Sequence, residues 1–269
     1  MVLQLGVVYG FVALGIFFTF RALNFADMTV DGSFAIGGCV ASVLLRSGIP
    51  QWLAIAVACS GSAAAGCATA FLHVKFRIAE ILSGIVVASA CYSVCLRIMG
   101  GSPNIMVDAP NFSPALIFTI CAATVPIVGY LLRTDFGLAF RCAGLNRTLA
   151  RSHGICPSSM LYFGLAVGNG FAGVGGAFFC LSQGFCDVGS GSGTLIAGLA
   201  SLVVGEAIFP LRSAYGKVFA CFVGSVAYRA AIAMALHSEL PFLRVGDFNL
   251  ITGGIIVLFL AAKWRRKPC

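Results

Sequence analysis

The sequence predicts an all-α, polytopic membrane helix bundle of about nine transmembrane helices, and three observations predict it. Hydrophobic residues fill 59% of 269 positions and charged residues only 10%, for a mean hydropathy of +1.00. No soluble domain of this size hides that much apolar surface. The apolar residues fall into runs near the ~20 residues that cross a bilayer. The basic residues gather in alternate connections between those runs. In such a chain the net charge of +8 is a matter of loop-by-loop sidedness and does not point to nucleic acid.

Spans are expected near 2–20, 33–46, 51–72, 80–98, 114–132, 157–181, 194–210, 216–236 and 248–262. The first begins at Met1 with no basic segment and no small-residue cleavage site before Arg21; it reads as a retained span and not as a signal peptide. The second and seventh are short, and each follows a polar, Gly-containing run, the pattern of half-helices. Cys91 and Cys95 stand four apart on the fourth span, and no C-x-x-C occurs among the twelve cysteines; they read as small apolar side chains packing between helices. The ninth span ends in KWRRKP, a stop anchor at lipid headgroups.

The longest polar interruption is 132–157, LRTDFGLAFRCAGLNRTLARSHGICP, with four arginines and Asp135 as its only acid. Its punctuation predicts two short helices. Thr134 or Asp135 caps the first and Gly144 closes it. Asn146 caps the second, Gly154 ends it, and Pro157 opens the next span. A compact basic elbow of this kind suits docking to a soluble partner, since a plain connector needs far fewer residues. With the elbow taken as cytoplasmic, thirteen basic residues (Arg21, Lys75, Arg77, Arg133, Arg141, Arg147, Arg151, Arg212, Lys217, Lys263, Arg265, Arg266 and Lys267) lie on that side. Three (Arg46, Arg97, Arg244) lie opposite, and Arg229 falls inside a span. That bias puts the N-terminus outside and the C-terminus in the cytoplasm. The chain reads as a single transmembrane domain, 1–269, with the elbow at 133–156.

A shift of 160 residues carries Gly10, Phe11, Gly15, Phe18, Phe25, Asp27 and Gly38 onto Gly170, Phe171, Gly175, Phe178, Phe185, Asp187 and Gly198 without a gap. An odd number of spans separates the copies, so the repeat is inverted, and inverted repeats with broken helices are a transporter signature. The breaks are 21–34 and 182–193. Asp27, Asp31 and Asp187 within them would cost roughly 2.5 kcal/mol or more facing lipid, so these segments line a cavity or sit in a helix interface. The 189–193 run has backbone N–H groups to offer an anion; as a flexible turn it would simply let helices pack closely. Glu206 has Arg212 and Lys217 as prospective partners. Arg229 is expected to snorkel or to pair with Asp187, Glu239 or Asp247, with a place in the solute path as the other reading.

Gly168-Asn-Gly-Phe-Ala-Gly173 matches a dinucleotide-binding pattern in letters only; inside a span and after no strand, it is a small-residue packing face. The sequence holds no Walker A motif, no H-E-x-x-H and no G-x-S-x-G, and its three histidines are scattered. Neither a catalytic constellation nor a metal site is expected, and the chain does not read as an enzyme.

Four stretches carry a likeness: 23–38, 132–155, 168–184 and 197–206. Through them the chain resembles the membrane permease subunits of ABC-type importers, in the branch that includes branched-chain amino-acid and ribose permeases. The stretch 76–105 looks closest to a subgroup whose members accompany binding proteins for aromatic (tryptophan- or tyrosine-type) and related amino acids. The resemblance implies a solute pathway built by two permease copies, with a homodimer expected. It implies an external substrate-binding protein and an ABC ATPase that binds the ATP, with no cofactor in this chain. It also implies the bacterial inner membrane. Gly137, Arg141, Gly144, Asn146, Arg147 and Gly154 sit where the family has its coupling elbow; Arg141 and Arg147 would touch the ATPase, and Gly144 and Gly154 would shape the elbow. Asp27, Asp31, Asp187 and Arg229 are the candidate pathway or gate residues. Some relatives carry one further N-terminal span, which makes the count nine or ten. A self-sufficient secondary transporter or channel accounts equally for the inverted repeat, but not for the doubly capped basic elbow.

Overall fold

The computed structural model describes residues 2–107, 114–209, 213–237 and 253–254. Among them the order is α1 (Val2–Ile16), running on as a π-helical turn Phe17–Ala22, then α2 (Val30–Arg46), α3 (Gln51–Phe76), α4 (Glu80–Ile98), β1 (Asn104–Met106) and α5 (Pro114–Leu131). The elbow follows as α6 (Asp135–Leu145) and α7 (Arg147–Ser152); then come α8 (Pro157–Gln183), β2 (Phe185–Asp187), a 3-10 turn Val188–Gly191, α9 (Thr194–Ile208) and α10 (Ala214–His237). Six continuous runs are long and apolar enough to cross a bilayer, or seven if α5 and α6, bent by 77°, count as one. The expected nine are not reached among the described residues, for two reasons. The helix α2, with 17 residues, is ~25 Å long at 1.5 Å per residue, short of the ~30 Å hydrocarbon core. The span expected at 248–262, with the basic C-terminus, lies almost wholly outside the described residues.

The bundle is organised around α1 and α8. The helix α8 packs on α1, α2 and α3, while α1 packs on α8, α9 and α10. Glycines permit the close crossings. A Cβ at Gly15 would strike the carbonyl of Gly168, one at Gly37 the carbonyl of Gly173, and one at Gly176 the carbonyl of Phe34. The 168–176 stretch is therefore the packing face its composition predicts. Around it, Phe11, Phe18, Phe25, Phe34, Phe140 and Phe178 are fully buried.

Both breaks solve the same problem, that backbone polar groups away from water must find partners. At the first, α1 widens into the π turn; Leu23 and Phe25 N–H groups reach back to the carbonyls of Phe18 (3.2 Å) and Thr19 (3.0 Å). At the second, Gly184 takes φ +73° to end α8, and residues 185–187 pair antiparallel with 104–106, with Ile105 opposite Cys186. This two-stranded ribbon departs from the purely helical expectation, which read residues 182–193 as a break without assigning them a strand. The cysteines of the described residues are free. Cys39, Cys91, Cys95, Cys180 and Cys186 pack together in a second core cluster, as small apolar side chains.

Candidate functional site

The elbow is built by its own side chains. Thr134 caps α6, accepting from the Gly137 N–H at 3.4 Å. Asn146 caps α7, its Oδ1 accepting from the N–H groups of Thr148 and Leu149, both at 3.0 Å. Gly154 closes α7 at φ +74°, while Ile155 N–H donates to the Ala150 carbonyl at 2.9 Å. Gly144 does not end α6, which continues to Leu145. Its missing side chain serves a different end: a Cβ there would strike the Ala22 carbonyl and lie 2.7 Å from Leu23 Cα. Gly137 is likewise pressed against the Leu131–Leu132 backbone.

The two arginines expected to face a partner also make contacts within the chain. Arg141 Nε donates to the Gly137 carbonyl (3.2 Å) and its Nη2 to the Leu132 carbonyl (3.1 Å), satisfying backbone acceptors at the end of α5. Arg147 pairs with Glu80 at 3.3 Å, and the other Glu80 oxygen accepts from Ala26 N–H at 3.4 Å. Arg133 lies over the Tyr215 ring at 5.4 Å, tying the elbow to α10. Three leucines project outward, Leu138, Leu145 and Leu149 at 54%, 86% and 49% exposure, among exposed polar neighbours that include Asp135, Arg147, Thr148 and Arg151.

Next to Ala26, Asp27 is buried at 4% exposure. Its Oδ1 accepts from Thr29 N–H (2.8 Å) and its Oδ2 from Asn169 Nδ2 (2.7 Å). Asn169 Oδ1 accepts from Ser33 Oγ (2.7 Å), and Ser62 Oγ donates to the Ser33 carbonyl (2.8 Å). The hydroxyls of Thr29 and Thr69 meet at 2.6 Å. One polar node thus joins the first break, α2, α3 and α8. Asn169, Ser33, Ser62 and Thr69 carry no assignment from the sequence, although an Asn inside an apolar span is itself a signal. Asn169→Leu keeps the volume but strips a donor from a buried carboxylate, which costs about 1–3 kcal/mol; the expected result is a lower unfolding midpoint for the solubilised protein than wild type or Asn169→Gln.

The remaining candidates fall elsewhere. Asp31, in the first turn of α2, accepts from the N–H groups of Gly193 (3.2 Å) and Leu195 (2.7 Å) and from Thr194 Oγ1 (2.9 Å). The anion served by the 189–193 run is thus the chain's own carboxylate, which holds the N-termini of α2 and α9 together. Asp187 accepts from Gly189 N–H at 2.5 Å, the same two-residue turn that Asp27 makes with Thr29. The Arg229 guanidinium stacks on Tyr9, 3.6 Å from the ring centroid; Glu239 and Asp247 lie outside the described residues. Glu206 is held by Arg21 at 2.7 and 3.1 Å. Arg212, one of its prospective partners, lies outside the described residues.

At the end of the elbow, hydrogen bonds from Ser159, its backbone N–H first, hold the exposed Cys156 thiol below its usual range. Since the thiolate is the nucleophile, Cys156 is expected to be the first cysteine alkylated by a water-soluble maleimide near pH 7, read by peptide mass spectrometry.

Known proteins place this architecture. The branched-chain amino acid transport system permease component family matches residues 1–260. A tyrosine transport system permease protein of Clostridioides difficile (strain R20291) is 34% identical over 271 residues, covering 97% of this chain and 89% of that protein. An uncharacterized protein of Rickettsia prowazekii (strain Madrid E) is 30% identical over 262 residues, covering 92% and 90%. Among solved structures, PsaBC from Streptococcus pneumoniae in complex with Fab shares the fold, with a TM-score of 0.50 at 16% identity over 97% of this chain and 85% of that one. The multi-pass helical architecture agrees with a transport function. With the family match spanning nearly its whole length, the chain belongs to the branched-chain amino acid transport system permease family.

Proposed function

We propose that the chain is the transmembrane permease subunit of an ATP-binding-cassette importer, carrying a small polar solute across the bacterial cytoplasmic membrane by alternating access. One observation carries the reading: the elbow is fastened to the first break while Leu138, Leu145 and Leu149 stay exposed on it. Gly144 seats it on Ala22 and Leu23, and Arg147 ties it through Glu80 to Ala26. Both attachments end on the first break, beside the Asp27 node. A push on Leu138, Leu145 and Leu149 from an ATPase groove therefore reaches the broken helix directly, the kind of rigid-body coupling that rocks helix bundles. Docking on this reading belongs to the leucines, with Arg141, Asn146, Arg147 and Gly154 holding the handle's shape.

The proposal includes an inverted repeat. The α1–α10 contact answers the α8–α3 contact under the 160-residue shift, as α1–α9 answers α8–α2, and Asp27 and Asp187 make the same turn. The basic side bearing the elbow is cytoplasmic and the N-terminus external. Two copies form the pathway, ATP is bound by the partner ATPase, and an external protein delivers the solute. The tyrosine transport permease among the relatives favours an aromatic amino acid as cargo. The test is uptake of labelled amino acids into vesicles holding the permease, its co-expressed ATPase and the binding protein. Uptake that needs ATP and all three parts is expected; pumping by the permease alone on an ion gradient defeats the proposal.

A further inference from the structure

Between the elbow and the bundle lies a cavity of about 270 Å³, close to the lower bound for small-ligand sites. Arg77, Arg147, Arg151 and His73 line it with Ser158, and no lining residue is acidic. The nearest carboxylate, Glu80, is shared between Arg147 and Ala26 N–H, so the cavity keeps a clear cationic excess. Ser158 stands in the first turn of the 27-residue α8, which turns the positive end of its dipole to the same space. Arg77 holds φ +56° at the end of α3, a left-handed conformation that glycine adopts more easily. His73 Nδ1 lies 2.8 Å from the Ile78 carbonyl, a contact that needs its proton there and leaves Nε2 as the second ring nitrogen. Three guanidinium forks around one small space suit a tetrahedral, multiply charged oxyanion better than a single carboxylate.

We propose that this cavity binds a phosphate-bearing anion where the elbow meets α3 and α8. One wall is apolar, formed by Val74 and Leu161. On the same helix, α3, Phe71 and Phe76 are exposed. This geometry fits a phospholipid headgroup entering from the bilayer surface, and basic pockets between membrane helices recognise such headgroups. Free phosphate offers the same chemistry and is the second source to be distinguished. An occupied cavity would brace the elbow against the bundle through Arg147 and Arg151 of α7.

The test uses the full-length permease without its ATPase, so its outcome is independent of the importer reading. The protein is delipidated in a neutral detergent and titrated with short-chain phosphatidylglycerol, short-chain phosphatidylcholine or inorganic phosphate, and the unfolding midpoint is followed. Phosphatidylglycerol is expected to raise the midpoint saturably and phosphatidylcholine not to. The Arg77→Gln/Arg151→Gln variant should need at least about tenfold more anionic lipid. Lys75→Gln/Lys217→Gln, which removes equal charge from exposed positions outside the cavity, should match wild type. Saturation by inorganic phosphate over the same range, lost in the arginine variant, assigns the site to a free anion. Arg151→Gln alone, on an exposed turn, gives the same comparison if the double variant is unstable. Equal shifts from phosphatidylcholine, no shift from either anion, or a wild-type titration in the arginine variants overturns the proposal.

Discussion

Leu145→Asp is expected to abolish assembly with the ATPase while leaving the helical bundle intact. Leu145 is 86% exposed at the junction of α6 and α7, so it contributes almost nothing to the folded chain's own packing. A leucine standing that far out of a capped elbow gains apolar burial only when something covers it. Loss of a central apolar contact at an interface costs about 2 kcal/mol or more, roughly a thirtyfold weakening, and a buried unpaired carboxylate adds to that. Co-purification of a tagged ATPase measures the loss; the elution profile and unfolding midpoint of the variant check that the fold survives. Arg141→Gln makes the instructive comparison. Its hydrogen bonds run to Gly137 and Leu132, so it should lower stability before it lowers affinity. Normal assembly of Leu145→Asp would show that the leucines are not where the partner grips.

Gly37→Leu should be the most damaging single change to the fold. A Cβ at Gly37 would lie 2.5 Å from Gly173 Cα and nearer still to its carbonyl oxygen, and backbone cannot swing aside as a side chain can. Relief requires α2 and α8 to separate, which also pulls Ser33 from Asn169 and loosens the node around Asp27. Overpacking of this kind costs about 3 kcal/mol or more, a drop of roughly 6–12 °C in the unfolding midpoint. Gly61→Ala is the control: the nearest atom to its added methyl is Ile36 Cγ2 at 3.6 Å, ordinary contact, and the midpoint should hold. A Gly37→Leu protein that melts with wild type would show the crossing to be looser than its glycines imply.

The sequence made the helical class and the elbow legible because their signals are local. Thr134, Asn146, Gly154 and Pro157 speak through their immediate neighbours, and each acts at the place its type predicts. What stayed hidden depends on pairing across the chain. Arg147 meets Glu80, Glu206 meets Arg21, and Asp31 caps a helix that begins more than 160 residues later; no spacing rule encodes such partners. The internal contacts of the elbow arginines were hidden in the same way: Arg141 satisfies the Gly137 and Leu132 carbonyls, and Arg147 pairs with Glu80 while staying half-exposed. Asn169 escaped notice because its glycine neighbours explained the stretch sufficiently as a packing face, and the short β1–β2 ribbon because three-residue strands have no periodicity to detect.

The division of labour within the elbow has an evolutionary corollary. Its shape is held by caps and close glycine contacts, and on the proposed reading its grip lies in exposed leucines, Leu145 above all. If the proposed docking holds, matching between permease and motor can drift, or be re-engineered, with little cost to the fold. Grafting the outward positions of one family member onto another should exchange their allegiance to motor subunits while each keeps its own cargo.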